Sequence, residues 1–163
     1  MLADTVINGN QFLTFTLQEE TYGVDILKVQ EIRGWSEPTP IPNAPEFIRG
    51  VMNLRGEIVP ILDMRRRFQM DETSFTKYTV IVVVNVRERT IGMTVDAVSD
   101  VMDITVEDMK DAPDFGTSID ASFIRGLAAS EEKMVILLDI DAMLQSCELV
   151  DLDKIVEKTE ATV

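Results

Sequence analysis

Side chains able to do chemistry fall into a few short runs: Asp114-Phe115-Gly116, Asp139-Ile140-Asp141, the spaced acids Asp96, Asp100 and Asp103, and the basic run Arg65-Arg66-Arg67. The first spells the magnesium-binding triplet of protein kinases. No Gly-rich loop lies upstream and no His-Arg-Asp accompanies it, so the parts that position ATP and take up a proton are missing. The aspartates lack the glycine and terminal glutamate of an EF-hand loop and read as a solvated acidic face. The arginine run could bind an anion, but three adjacent arginines cannot share one face of a short helix, and one or two of them are expected to interact with the acidic body or the carbonyls at a helix end. Histidine is absent, which removes the side chain best suited to proton transfer near neutral pH. Cys147 is the single cysteine, so no internal disulfide or CxxC pair can form, and it is expected to be a buried small hydrophobe on a helix. No catalytic, cofactor-binding or metal-ligating residue is assigned, and a non-enzyme is expected.

The elements that would position any site come next. With 45% hydrophobic residues in 163, the chain can build one domain or two tightly apposed small ones. Its apolar runs, such as Val80 to Val84, fall far short of the ~20 residues of a membrane helix. The start Met1-Leu2-Ala3-Asp4-Thr5 has no signal-peptide pattern, and a cytoplasmic protein is expected. The net charge of −14 repels phosphate backbones and anionic lipid, which argues against nucleic-acid binding. Charge is uneven: 96 to 120 carries eight acids and one lysine, whereas 47 to 68 carries five arginines against Glu57 and Asp63.

A repeat organises the chain. Phe47-Ile48-Arg49-Gly50 recurs 76 positions later as Phe123-Ile124-Arg125-Gly126, and Val59, Leu62 and Asp63 recur as Val135, Leu138 and Asp139. The segments 22 to 32 and 91 to 101 also align, at an offset of 69. Two copies of a module, the second carrying an insertion, follow from that order. Modules this small bury only ~60% of their unfolded surface alone, so each is expected to lean on the other.

Within copy one, residues 1–10 read as a flexible start and alternation from Gln11 to Leu17 as a strand, followed by a hairpin into Tyr22 to Asp25. Asp25 can cap a helical turn or end the strand. Ile26, Val29 and Ile32 then fall at i, i+3, i+6, a spacing open to helix or strand. Four prolines between Glu37 and Pro45 forbid a regular ladder and predict a surface loop. Gly50 to Asp63 reads as a second hairpin turning at Arg55-Gly56, with Gly56 supplying positive φ, and Pro60 predicts an edge strand or a break. Met64 to Phe68 reads as a helical turn. Copy two repeats this with strands at Thr79 to Val86, Thr90 to Val95 and Val98 to Met102, a helical turn over Val106 to Met109, and a hairpin from Arg125 to Leu138. Ile140, Met143, Leu144, Cys147 and Val150 predict a closing amphipathic helix. Two packed β-barrels with a binding groove between them are expected.

Comparison of the copies sorts scaffold from recognition. Shared residues such as Phe47 and Gly50 read mainly as scaffold. Arg55 has Glu131 at its equivalent turn, so Asn53, Leu54, Arg55 and Gly56 become recognition-turn candidates. Val29, Ile32, Val98 and Val101 occupy equivalent places in both copies. They read as core, or as a shared apolar groove flanked by Glu31 and Asp100 that could take an amphipathic helix.

Several blocks carry a family resemblance: Gln11-Phe12-Leu13, Tyr22-Gly23-Val24-Asp25-Ile26, Lys28-Val29-Gln30-Glu31-Ile32, Pro45-Glu46-Phe47-Ile48-Arg49-Gly50, and Asn53-Leu54-Arg55-Gly56-Glu57-Ile58-Val59-Pro60-Ile61-Leu62-Asp63. Over about 11 to 150 the chain resembles the CheW family of chemotaxis coupling proteins. The resemblance implies an all-β fold with a few short helices, built as two SH3-like five-stranded β-barrels. It implies one CheW-like domain over 11–150, with subdomains near 11–75 and 76–150 whose boundary and strand exchange are left open, and a charged tail over 151–163. It further implies an adaptor linking chemoreceptors to the histidine kinase CheA at membrane receptor arrays. The receptor tip would dock at Val29, Glu31, Gly50, Arg55 and Val101, joined by Ile32 and Val98 from the same stripe. Val29 and Val101 would give apolar contact, Gly50 close backbone approach, and Glu31 and Arg55 orienting charge. The kinase's regulatory domain would pair barrel against barrel, and its contact residues are not assigned. That regulatory domain itself, or a small-ligand-binding double barrel, is the alternative reading.

Overall fold

A computed structural model describes residues 9–68, 70, 75–86, 88–110, 123–130 and 133–143. The strands are β1 (Gly9–Leu17), β2 (Glu20–Asp25), β3 (Val29–Gly34), β4 (Ile48–Leu54), β5 (Glu57–Asp63), β6 (Val80–Val86), β7 (Arg89–Val95), β8 (Ala97–Thr105), β9 (Met109–Lys110), β10 (Ile124–Ser130) and β11 (Lys133–Leu138), with short helices at Met64–Arg67 and Ile140–Met143. They form a six-stranded sheet, β8-β1-β2-β11-β10-β9, and a five-stranded sheet, β3-β6-β7-β5-β4. The expected pair of five-stranded units therefore holds, with the two-residue β9 as an extra rung. The Asp114-Phe115-Gly116 run, most of the acidic insertion, Glu131 and Cys147 lie outside the described residues, as does the closing helix beyond Met143.

The sheets cut across the sequence halves. Hairpin β1-β2 sits between β8 and β11, while β6-β7 sits between β3 and β5. Both insertions are closed by a parallel pair at equivalent places, Gly23 with Leu137 and Gly92 with Ile61. The two offsets of the repeat, 69 and 76, are thus realised together in one pseudo-twofold arrangement. Each copy lends its hairpin to the other, which is why neither half can bury its apolar faces alone.

Core placement follows from side-chain alternation. On β6, Val82, Val84 and Val86 enter the largest apolar cluster, whereas Ile81 and Val83 enter a second one with Leu54, Val59 and Ile61. Burial on both faces accounts for the unbroken apolar run of this strand. A third cluster of Phe12, Ile104, Ala128, Val135 and Leu137 fills the six-stranded unit, with Val135 and Leu137 standing where Val59 and Ile61 stand in the other. The largest cluster joins the units: Leu13, Phe15, Tyr22 and Leu138 from one meet Val51, Leu62, Phe68 and Met93 from the other. Each such side chain contributes roughly 1.5–3 kcal/mol on burial, so the junction is as much core as either interior.

Tyr22 lies in that junction, stacked on Phe15 and Phe68 with ring centroids 5.9 and 5.7 Å away. Burial first, and Glu20 second, push its phenol from 10.0 up to about 12. Since the folded chain then holds the proton more tightly than the unfolded one, this group's contribution to stability is intact below pH 10 and is lost as pH rises toward 12. In a titration followed by tyrosine absorbance and circular dichroism, Tyr22 is expected to ionise only together with unfolding. Ionisation near pH 10 with the fold intact would contradict its burial.

Two local expectations change. Pro60 is not on an edge: β5 lies between β7 and β4. Its cross-strand neighbour Val51 turns both its N–H and its C=O to Thr39, each at 2.9 Å, so β4 asks no donor of Pro60. The parallel ladder with β7 begins at Ile61, so β7 asks none either. The segment after Asp25 is both turn and strand. Asp25 Oδ1 accepts from the Leu27 N–H at 2.9 Å and caps a 3-10 turn over Ile26–Lys28, after which β3 begins.

Candidate functional site

The helix-like spacing of Val29 and Ile32 is produced by a bulge. Val29 pairs with Val84, and Glu31 with Val83, leaving Gln30 as the extra residue. Val29 and Ile32 therefore share the face of Val84 and Val82, which turns toward the junction cluster. Copy two does the same thing at the same place. Val98 pairs with Phe15 and Asp100 with Thr14, so Ser99 is bulged and Val98 and Val101 share the face of Phe15 and Leu13. In both copies the inner valine packs partly against the junction. The outer residue emerges from it, with Ile32 46% and Val101 44% exposed. The apolar junction thus reaches solvent along β3 and β8, and each of these is the edge strand of its sheet.

Glu31 stands on the opposite face of β3 from Ile32, and the structure joins it to Arg55. The Arg55 guanidinium lies 3.3 Å from Glu31 Oε2, and Arg33 lies 3.6 Å from Oε1. The hydrogen bond from Arg55 is the main reason the Glu31 carboxyl is held below its ordinary value of 4.5. Arg33 is a partner that sequence spacing did not single out, though its place two residues along the same strand puts it on the Glu31 face.

Arg55 and Gly56 form a two-residue hairpin loop with φ of 53° and 88°, the left-handed pair that matches strand twist. Asn53 Oδ1 accepts the Gly56 N–H at 2.8 Å and closes the loop, and Leu54 anchors it in the barrel interior at 5% exposure. Of the four recognition-turn candidates, Arg55 alone offers a long side chain to solvent, 69% exposed. A non-glycine residue in this conformation costs about 1–2 kcal/mol. Gln18 and Glu88 take the same left-handed conformation at two other hairpin turns, with φ of 57° and 68°.

Gly50 is brought elsewhere. It is buried with φ of 150°, and a Cβ there would lie 2.2 Å from the Thr39 carbonyl oxygen. Its close approach is to the proline-rich loop of its own chain. Copy two repeats the arrangement, since a Cβ on Gly126 would lie 3.0 Å from the Lys110 carbonyl oxygen. The twin tetrads are bulges that seat such a passing strand: Arg49 and Arg125 are the extra residues. Phe47 and Phe123 each accept a backbone bond, from Asp63 at 2.7 Å and Asp139 at 2.8 Å. Those aspartates cap the helices that follow, Asp63 through the Arg65 N–H and Asp139 through the Ala142 N–H, both at 3.0 Å.

The arginine run meets acids and carbonyls as expected, whereas Asp96, Asp139 and Asp141 are paired or capping groups rather than a solvated acidic face. Arg65 forks both carboxylate oxygens of Asp96, Nε reaching Oδ1 at 2.8 Å. Arg66 donates to the Glu46 carbonyl and Arg67 to the Met143 carbonyl, each at 3.3 Å. Asp141 pairs with Lys28 at 2.9 Å. Among the described residues no acidic or thiol group is arranged to hold a metal ion, and no helix is long and apolar enough to cross a membrane.

Known proteins resemble this chain over most of its length. The family model described as CheW-like domain matches residues 11–148. The protein named Chemotaxis protein CheW from Klebsiella aerogenes is 47% identical over 147 residues, covering 90% of this chain and 89% of its own. That of Rhizobium meliloti is 38% identical, covering 86% and 90%. Among solved structures, the scaffolding protein TtCheW from Thermoanaerobacter tengcongensis superposes with a TM-score of 0.78 at 34% identity, covering 86% of this chain and 90% of its own.

Proposed function

This chain belongs to the CheW family of chemotaxis scaffold proteins, and we propose on that premise that it is a non-enzymatic adaptor coupling chemoreceptors to the histidine kinase CheA. The observation that carries the proposal is the emergence of the junction core at Ile32 and Val101 on two open strand edges. An amphipathic helix laid along that groove covers apolar surface that the chain leaves wet. The Glu31–Arg55 pair on the neighbouring face supplies charges that fix the helix's register. Val29 and Val98 floor the groove, and Gly50 acts through the backbone that it packs beneath the hairpin. The kinase's regulatory domain takes a separate surface, which leaves the groove free for the receptor and recruits the adaptor to receptor arrays at the membrane.

The relatives and the solved neighbour carry names of the chemotaxis protein or scaffold rather than of a kinase, which favours the adaptor over the kinase's own regulatory domain. The test is co-assembly of the full chain with purified kinase and a receptor-tip fragment. The expected result is a ternary complex with raised kinase autophosphorylation. Absence of both co-assembly and stimulation would defeat the proposal.

A further inference from the structure

Arg67 ends the helix that follows β5, and its guanidinium lies 5.3 Å from the Phe47 ring centroid and 4.6 Å from that of Phe123. These are the first residues of the twin tetrads, one from each copy. The same side chain donates from Nη2 to the Met143 carbonyl at 3.3 Å, so it touches both five- and six-stranded units at once. Met143 is itself the residue equivalent to Arg67, 76 positions on, and it is fully buried in the junction cluster. At a pseudo-twofold axis only one of two equivalent side chains can occupy the axial position. The two copies differ there, as arginine and methionine.

We propose that Arg67 is a positioning residue that clamps the two barrels together between Phe47 and Phe123 and so sets the separation of β3 and β8 across the groove. A cation held between two aromatic faces is attracted to both, and more strongly where water is excluded. The hydrogen bond to Met143 adds direction, because the planar fork fixes the angle at which the second helix approaches. Apolar packing in the junction is nondirectional and tolerates small rotations. The axial clamp supplies the directional restraint that packing lacks. The inference rests on the groove being the receptor site, but its test does not.

The test uses the full chain with serine in place of Cys147 and spin labels at two exposed positions, Glu57→Cys on β5 and Asp103→Cys on β8. Pulsed dipolar spectroscopy of the parent is expected to give one narrow distance distribution. Arg67→Met should broaden or shift it, while Arg67→Lys, which keeps a cation between the rings but lacks the planar fork, should narrow it part of the way back. A methionine variant with the parent distribution would overturn the clamp, as would a lysine variant as broad as the methionine one. If Arg67→Met fails to fold by circular dichroism, Phe123→Leu removes one aromatic plate and carries the same expectation. In a parallel arm, Arg67→Met should weaken receptor-tip binding about fivefold or more with Glu31 and Arg55 untouched. Undiminished binding by a variant with a broadened distribution would overturn the link between clamp and groove. Failure of the parent to bind the tip would count against the receptor reading alone, since the distance distributions decide the clamp without it.

Discussion

Gly50→Ala is expected to lower the melting temperature by roughly 10 °C, corresponding to about 3 kcal/mol or more in a chain of this size. The new methyl group would sit 2.2 Å from the Thr39 carbonyl oxygen and 2.6 Å from its carbon, both backbone atoms, and φ of 150° adds strain for any L side chain. Relief requires breaking the two-way bond between Thr39 and Val51, which detaches the proline-rich loop from β4. Gly56→Ala is the control: φ there is 88°, but nothing lies within 4 Å of its Cβ. Only backbone strain of about 1 kcal/mol is expected from it. Thermal unfolding by circular dichroism distinguishes the two. A Gly50→Ala protein that melts normally yet fails to bind receptor would show instead that the partner's backbone approaches Gly50 directly.

Arg55→Glu should leave stability within about half a kcal/mol and reduce receptor-tip affinity by about tenfold or more. The guanidinium is 69% exposed, so little packing is lost, but Glu31 then faces a like charge where it had a partner. The charge-swapped double variant Glu31→Arg, Arg55→Glu separates two roles. If the pair only braces the hairpin, the swap restores binding; if a partner reads the charges, binding stays weak because the pattern it meets is inverted. Acid provides a second handle. The Glu31 carboxyl is held below 4.5 chiefly by Arg55, so the pair is intact above that pH and is lost as pH falls through the lowered value. Receptor binding is accordingly expected to be unchanged between pH 7 and about 5. A loss in that window would point to a different titrating group.

Local pattern and duplication together made much of this fold legible. Alternation from Gln11 to Leu17, the Arg55-Gly56 turn and the closing β10-β11 hairpin are local properties, and sequence reports them well. The repeat added that both copies share one plan. What remained hidden is nonlocal. The exchange of β1-β2 for β6-β7 leaves each hairpin's own pattern unchanged, and only the pairing of Gly23 with Leu137 and Gly92 with Ile61 reveals it. Pro60 misled because an edge is one of two ways to dispense with a donor. The other, a neighbour that turns its polar groups away, depends on Thr39 more than twenty residues distant.

The site was legible in part for similar reasons. Equivalence of Val29 with Val98 and of Ile32 with Val101 pointed to a common stripe, although its i, i+3 spacing belonged to a bulged strand rather than a helix. Difference between the copies pointed to Arg55. The same difference separates Arg67 from Met143, but it lies within a run of three arginines whose individual places the sequence does not distinguish. Gly50 carries both expectations, scaffold from its repeat and contact from the family resemblance. Its buried position under Thr39 places its steric demand inside the molecule.

The most direct test of the groove is a methyl-labelled spectrum of the full chain titrated with a helical receptor-tip fragment. Methyl signals of Val29, Ile32, Val98 and Val101 are expected to move together with increasing fragment, while Val59 and Val83, sealed in a barrel interior, stay in place. Binding that leaves those four unmoved and shifts signals elsewhere would contradict recognition at the junction.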